Sequence, residues 1–335
     1  MQRQWVVARR PSGRPLEDAD FELVEAPVRA PREGEVRLTT LYLGFDPAQK
    51  SWMENAAGYK APVEIGGVMP GWGVGVVAES DSADFEPGDL VWGMIGWEEQ
   101  PTVPAAEVWK VPAEVPPSAA LSIFGATGRT AYLSLMKVGK PVAGDTLVIT
   151  GAAGATGSLV GQIGKIAGCR VIGIAGGPEK CAFLTGTLGF DAAIDYKAEK
   201  VRTRLRELAP GGIDIFFDNV GGDILNTALA QLAPRARVVI CGAISRYNFD
   251  PRSPEMPEGP RNYFNVVFTG ATIQGFLMPQ YERDYPEADQ RLVGWLREDR
   301  LRLGEDVQVG FENAPSTLRR LFEGRNIGKQ LLKVA

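Results

Sequence analysis

The stretch Asp145–Lys180, DTLVITGAAGATGSLVGQIGKIAGCRVIGIAGGPEK, decides the fold. Thr146–Thr150 is a short β-branched run, and Gly151-Ala152-Ala153-Gly154-Ala155-Thr156-Gly157 follows it directly, so a glycine turn sits where a strand hands over to a helix. Leu159, Val160, Ile163, Ile166 and Ala167 recur at helical spacing, and a second apolar run at Arg170–Ala175 completes the order strand, turn, helix, strand. In that setting a glycine at 154 lets a pyrophosphate approach the backbone, and Gly157 lets the helix pack close to the strand. The unpaired amides of the helix start favour the negative charge. The first glycine of the G-x-G-x-x-G pattern is Ala152 here, a departure set against flanking elements that supply the context the motif requires.

The same stretch bears on which dinucleotide is bound. An NAD site places Asp or Glu about 20 residues past the glycine turn, where it bonds the ribose 2′-hydroxyl. Here the second strand runs out as Ile174-Ala175-Gly176-Gly177, with no carboxylate. Gly176 and Gly177 leave room for a phosphate, and Lys180 carries a flexible ammonium at the next helix start, so NADP is favoured over NAD. Taken alone, Lys180 reads equally as a solvated helix residue.

A length of 335 residues exceeds one typical core of roughly 150, and two domains are expected. The net charge of −5 is spread over mixed acidic and basic residues, which argues against nucleic acid or an anionic membrane as partner. No run approaches the ~18 apolar residues of a membrane span, and the start MQRQWVVARRPSG lacks a signal peptide's apolar core, so a cytoplasmic location is expected. Cys169, Cys181 and Cys241 show no metal spacing and read as buried free thiols. Histidine is absent, which excludes imidazole metal sites, Ser-His-Asp and Cys-His nucleophiles and histidine acid-base catalysis.

Residues 1–120 read as β-rich: Gln4–Ala8, Phe21–Glu25, Glu35–Tyr42, Gly73–Ala78, Leu90–Ile95 and Ala106–Val111 are candidate strands between Pro/Gly turns, the pattern of a closed or folded-over β domain. Leu121–Met136 reads as one helix bridging two domains. From Asp145 strands at 146–150, 170–175, 192–194, 213–218, 237–242 and 271–276 alternate with helices near 156–168, 178–188, 198–209, 222–232 and 285–299, which predicts a doubly wound parallel sheet. The Pro-rich stretch Ser245–Phe264 either covers a site or is disordered. Val307–Phe311, a helix at Ala314–Phe322 and Lys329–Val334 return to β pattern, and the tail is expected to rejoin the first domain. The expected division is 1–122 with 303–335, and 123–302.

With these pieces placed, the chain resembles the zinc-independent medium-chain dehydrogenase/reductases of the prostaglandin, leukotriene and curcumin reductase type. The resemblance runs nearly end to end and rests on Ala152–Gly157, Asp195-Tyr196-Lys197, Phe217-Asp218-Asn219-Val220-Gly221-Gly222, Cys241-Gly242-Ala243-Ile244-Ser245, Gly275-Phe276-Leu277 and Asn326-Ile327-Gly328-Lys329. It implies an α/β architecture in which a GroES-like β domain carries both termini and a Rossmann domain is inserted between them, with NADP(H) bound and commonly a homodimer. Zinc relatives carry Gly-His-Glu where this chain has Gly71-Trp72-Gly73, so the resemblance implies no metal. It implies further that Gly154, Ala155, Thr156 and Gly157 meet the pyrophosphate, and that Gly177, Lys180 and Tyr196 meet the 2′-phosphate. Asn219, Cys241, Gly242, Ala243, Ile244, Ser245, Tyr247, Phe276, Leu277, Met278 and Asn326 would line the ribose and nicotinamide. On its own Asn219 follows a strand end, where ligands of parallel sheets sit, whereas Asn326 reads as a turn residue. Many relatives have Asp-Pro-Tyr where this chain reads Phe45-Asp46-Pro47-Ala48-Gln49-Lys50-Ser51-Trp52, in a region expected to face substrate.

The resemblance implies reduction of an activated carbon–carbon double bond in a small, apolar α,β-unsaturated ketone or aldehyde. Hydride reaching the β-carbon builds negative charge on the carbonyl oxygen, which needs placed donors. A phenol serves without metal or histidine, because its pKa near 10 keeps it protonated. Of eight tyrosines, Tyr263 is the expected donor, at the end of the Pro-rich loop, with Tyr247 assisting and Tyr59 as the first-domain candidate. Trp52, Met53, Tyr59, Trp72 and Trp97 form either an apolar pocket wall or β-domain core. A quinone reductase and a non-catalytic NADPH-binding protein are the alternatives.

Overall fold

The computed structural model describes residues 1–54, 61–250, 253–255 and 259–334. They divide into two units: Met1–Gly125 with Asn248–Ser253 and Glu305–Ala335, and Ala126–Tyr247 with Pro254–Gly304.

The first unit opens with an antiparallel ribbon of β1 (Gln2–Val7) and β2 (Phe21–Ala26). β3 (Glu35–Gly44) follows, with Val36, Leu38 and Thr40 turned inward in alternation and Leu43 turned inward beyond the register shift at Thr40/Tyr42. β4 (Trp72–Ser80), β5 (Leu90–Met94), β6 (Thr102–Pro104) and β7 (Val108–Lys110) complete its N-terminal part. Trp97, fully buried, lies between Phe21 at 5.3 Å and Phe45 at 5.1 Å between ring centroids. Such a side chain contributes on the order of 3 kcal/mol through the water it sheds. The single helix expected over Leu121–Met136 is two. Phe124 leaves helical backbone to stack on Trp92 at 5.3 Å, and a second helix restarts at Gly125, φ +62°.

The second unit is built on β8 (Thr146–Thr150), β9 (Arg170–Ala175), β10 (Ala192–Asp195), β11 (Ile213–Asp218), β12 (Leu232–Ile240) and β13 (Thr272–Gly275). All neighbours are parallel, in the order β10-β9-β8-β11-β12-β13. The central strands β8 and β11 have apolar centres because both faces are covered there; Leu147, Val148, Ile149, Ile215, Phe216 and Phe217 are wholly buried. Strand order reverses between β8 and β11, so the crevice at their carboxyl ends is where this architecture takes a ligand. Helix 222–229 ends earlier than expected, since β12 already begins at Leu232 and passes Arg235 at φ +59° with a register shift against β11.

The tail rejoins the first unit. β14 (Glu305–Val309) pairs parallel with β15 (Lys329–Lys333), which pairs antiparallel with β3, giving the sheet β14-β15-β3-β4-β5-β7 with β6 against β3. No helix among the described residues is long and apolar enough to cross a membrane.

Candidate functional site

The glycine turn after β8 is shaped by close approaches of backbone to backbone. Gly151 takes the left-handed conformation at φ +58°, the Ala152 amide donates to the Ile174 carbonyl at 3.1 Å, and Gly154 donates back to Gly151 at 3.0 Å. Helix Ala155–Ile166 starts there with Gly154 as its cap and no side-chain acceptor for its first amides. A Cβ on Gly157 would stand 2.5 Å from the Gly151 carbonyl oxygen and 2.8 Å from Ala152 Cα, so only glycine lets the helix come this near the strand. The departure at Ala152 is thereby explained. The turn's special conformation falls on Gly151, while the buried Ala152 methyl lies 2.9 Å from where a Gly173 Cβ would be. The bare first-turn amides of Ala155, Thr156 and Gly157 suit an anion.

A second loop leaves β9. A Cβ on Gly176 would meet Tyr196 Cε1 at 2.8 Å and Lys197 Cε at 2.9 Å, so the tyrosine ring and the lysine stem lie across the glycine backbone. Asp195 Oδ1 accepts from the amides of Gly177 at 2.9 Å and Lys197 at 3.0 Å. The Gly177 and Lys197 amides hold that carboxyl below its usual range, so the acid at this strand end is spent on the backbone. Lys180 stands half-buried in helix Pro178–Ala182, and Tyr196 is exposed. Lys197 escaped sequence reasoning as a site residue, although the Asp-Tyr-Lys triplet marked its place.

At the switch point, Thr150 and Asp218 end the two central strands and are both buried. Thr150 Oγ1 lies 2.7 Å from Asp218 Oδ1, and Asn219 Nδ2 donates to the Thr150 carbonyl at 2.7 Å. The loop after β12 is fastened to the same strand end: Cys241 and Gly242 amides reach the Asp218 carbonyl at 2.9 and 3.1 Å, and Ile244 reaches that of Asn219 at 3.2 Å. Ala243 leads into the turn 244–246, and Ser245 donates to the Val220 carbonyl through both its amide and its hydroxyl. Burial, with Asp218 adding to it, pushes the Cys241 thiol up to about 12, so it stays protonated. Tyr247, half-buried, follows directly. The preceding Arg246 has a buried Nε with no acceptor among the described residues. From β13 the chain gives Phe276, whose amide bonds Ile240 at 3.0 Å and whose ring stacks on Tyr281, then Leu277 and Met278, whose carbonyl takes the Tyr285 hydroxyl at 3.1 Å. Thr150 and Arg246 carried no motif of their own in the sequence, and Asp218 stood in the Phe217–Gly222 piece without a role assigned to it.

Tyr263 is 64% exposed. Its segment is tied to helix 222–229 by Arg261 and Asn262 at Asn226 and by Asn265 at the Leu229 carbonyl, so the tyrosine sits on that helix's flank. Tyr59 lies outside the described residues. In the first unit the buried Asn326 donates to the Gly328 carbonyl at 2.9 Å, and Lys329 Nζ meets Asp46 Oδ1 at 2.6 Å. Met53 and Trp97, weighed as pocket wall, belong to the apolar core, and Trp72 packs toward Trp92. Cys169 is buried, Cys181 and Cys241 are partly exposed, and all three are free.

Residues 3–111 match a family model described as the N-terminal domain of oxidoreductase, and residues 155–294 one described as zinc-binding dehydrogenase. The NADPH-dependent curcumin reductase of Escherichia coli is 39% identical, across 99% of this chain and 97% of that protein. The chain belongs to the medium-chain dehydrogenase/reductase family. Two further members fall close. The NADP-dependent 2-alkenal reductase of Nicotiana tabacum is 37% identical over 99% of this chain and 97% of its own. The solved CurA of Vibrio vulnificus in complex with NADPH superposes with a TM-score of 0.91 at 39% identity over 99% of both chains. Zinc appears in the name of the second family model. Histidine is absent, and no cluster of three Cys, Asp or Glu suited to a metal occurs among the described residues.

Proposed function

We propose that this chain is an NADPH-dependent reductase of the activated double bond of α,β-unsaturated ketones and aldehydes. The observation that carries it is the pair of loops at the carboxyl edge: bare helix amides brought onto the turn by Gly157, beside a loop where Lys180, Tyr196 and Lys197 replace the acid of an NAD site. Gly154, Ala155, Thr156 and Gly157 would hold the pyrophosphate, and Gly177 with those three side chains the 2′-phosphate. Asn219, the 241–247 loop and Phe276, Leu277 and Met278 would receive the nicotinamide half. When bound, NADPH supplies a hydride for the β-carbon of the acceptor.

The chain's own part is to meet the charge that then grows on the acceptor's carbonyl oxygen. Tyr247 is favoured over Tyr263 for this, because the hydrogen bonds at 244 and 245 fix its turn to the crevice loops whereas Tyr263 is held on a helix flank. Arg246 adds a cation beside it. Activity is taken to be zinc-independent, and dialysis against chelator is expected to leave it unchanged. A homodimer is proposed from the edge strand β13, exposed along its length, and the neighbouring exposed Phe264, Val267 and Phe268. Three free thiols fit a cytoplasmic location. The deciding experiment is NADPH oxidation with an apolar enone and with a quinone. Turnover of the enone at the higher kcat/KM supports the reading, preference for the quinone replaces it, and tight NADPH binding without turnover of either marks a non-catalytic protein.

A further inference from the structure

The hydrogen bonds at the switch point have only one consistent direction. The Asn219 amide, which can only donate, lies 2.8 Å from Thr150 Oγ1, so the hydroxyl accepts there. Its single proton is then available to Asp218 Oδ1 at 2.7 Å. The carboxylate is an acceptor throughout: Val220 donates to Oδ1 at 3.1 Å, and Gly221 donates to both oxygens at 3.0 and 3.1 Å. The Thr150 carbonyl can only accept, so the nitrogen of the Asn219 side chain faces it at 2.7 Å and Oδ1 is the end turned away. No described residue donates to that oxygen. An asparagine, ordinarily able to offer either end, is thus locked as an acceptor at the carboxyl edge of β11.

We infer that Asp218 and Thr150 are positioning residues that fix Asn219 Oδ1 outward, so that it reads a hydroxyl of the dinucleotide's nicotinamide-side ribose. The inference rests on the proposed function, since it takes the crevice to hold a dinucleotide. An acceptor-only oxygen admits a hydroxyl and rejects a carbonyl or phosphate oxygen. The side of the crevice follows from strand order. Pyrophosphate belongs at β8 and the 2′-phosphate loops at β9 and β10, which leaves β11 and β12 for the other half of the molecule. That half is the same in NADPH and NADH. Asp218 and Thr150 therefore act on both coenzymes alike, whereas Lys180 acts on one.

The test uses the whole apoprotein, titrated with NADPH and with NADH by fluorescence, together with its thermal midpoint. Asp218→Asn and Thr150→Val are each expected to weaken both coenzymes by the same factor, about tenfold for one hydrogen bond lost. Thr150→Ser, which keeps the hydroxyl, is expected to restore binding. Asn219→Ala should cost the same factor, and Thr150→Val added to it should cost nothing more, because both act through one oxygen. Should Asp218→Asn or Thr150→Val fail to fold, Thr150→Ser and Asn219→Ala decide, the latter side chain being partly exposed. The inference is overturned if Asn219→Ala binds both coenzymes as wild type does, if Thr150→Ser loses as much as Thr150→Val, or if the losses of Thr150→Val and Asn219→Ala add. A loss confined to NADPH would place these residues at the 2′-phosphate and also overturn it. Wild-type protein that binds neither coenzyme removes the proposed function itself, a result distinct from all of these.

Discussion

Gly157 and Gly154 lie three residues apart, yet alanine at the two positions is expected to fail in different ways. At Gly157 the new Cβ would stand 2.5 Å from the Gly151 carbonyl oxygen, where ordinary contact begins near 3.4 Å, so the helix start must lift by about 0.9 Å. The obstructing atoms are backbone and cannot rotate away. Overpacking of this kind costs about 1–3 kcal/mol, and for a unit of this size each kcal/mol lowers the thermal midpoint by roughly 2–4 °C. Gly157→Ala should therefore lose roughly 4–8 °C for about 2 kcal/mol, and at least tenfold in NADPH affinity, because the lifted amides leave the phosphate. At Gly154 the backbone is extended at φ −82°, ψ 176°, and the new Cβ meets the Gly151 oxygen at 3.2 Å only. Stability should stay within about 0.5 kcal/mol, while the methyl occupies the surface a pyrophosphate must approach and weakens NADPH by about tenfold. Differential scanning fluorimetry of the apoprotein and a fluorescence titration with NADPH measure the two quantities separately. If Gly154→Ala binds NADPH as wild type does, the pyrophosphate is not at this turn; if Gly157→Ala keeps its midpoint, the helix is not held as close as described.

Lys180→Ala should weaken NADPH by roughly tenfold or more and leave NADH unchanged, as expected for one charge-assisted contact to the 2′-phosphate; equal losses would remove that assignment. Tyr247→Phe should lower turnover of a good enone by about 10²–10³ with NADPH affinity kept, and Tyr263→Phe should do little, so the opposite ranking would return the donor's role to Tyr263. Asp20 is wholly buried; burial pushes its carboxyl up, but hydrogen bonds from Arg14 and the Glu17 amide, with Arg9 beside them, hold it below its usual range. Its stabilisation is present above the unfolded pKa of about 3.9 and is lost as pH falls through the lower folded value, so urea midpoints should drop into acid for wild type and drop less for Asp20→Asn. A wild-type acid limb no steeper than that of the variant would contradict this.

What was legible in the sequence is what local chemistry dictates. β8 and β9 showed themselves because their centres, Leu147–Ile149 and Val171–Ile174, are buried on both faces and hold no polar residue to blur them, and the glycine turn because its conformations admit few other residues. Less visible were elements held by distant partners. The short helix Ala48–Met53 buries Gln49 and Lys50, whose polarity reads as surface, with Lys50 paired to Glu54 at 2.7 Å. β6 is three residues, too short for any periodicity, whereas β7 fell within the expected strand Ala106–Val111. The break at Phe124 depends on Trp92, and the roles of Thr150 and Asp218 depend on each other across 68 positions. An aspartate at a strand end carries no mark that it will be buried. The expected tyrosine depended on where a Pro-rich loop would run, and its later part follows side-chain bonds to helix 222–229 that no spacing encodes.

The carboxyl edge of the parallel sheet also sorts charge along its length, and this orients whatever binds there. On the β9 and β10 side stand two lysines, Lys180 and Lys197, with Asp195 consumed by backbone amides. At β8 the charge is only that of bare helix amides. At the ends of β11 and β12 the Asp218 carboxylate is buried under its donors, the Cys241 thiol stays neutral, and Phe276 closes the edge with an apolar ring. A ligand with phosphate at one end and a neutral ring at the other can lie along such an edge in one direction only, because reversal would put a dianion against apolar surface and leave the lysines unused. The neutral end is also where charge must later appear on the acceptor. In the proposed reading Arg246 and the phenol of Tyr247, carried by the turn after β12, would supply the attraction to that charge.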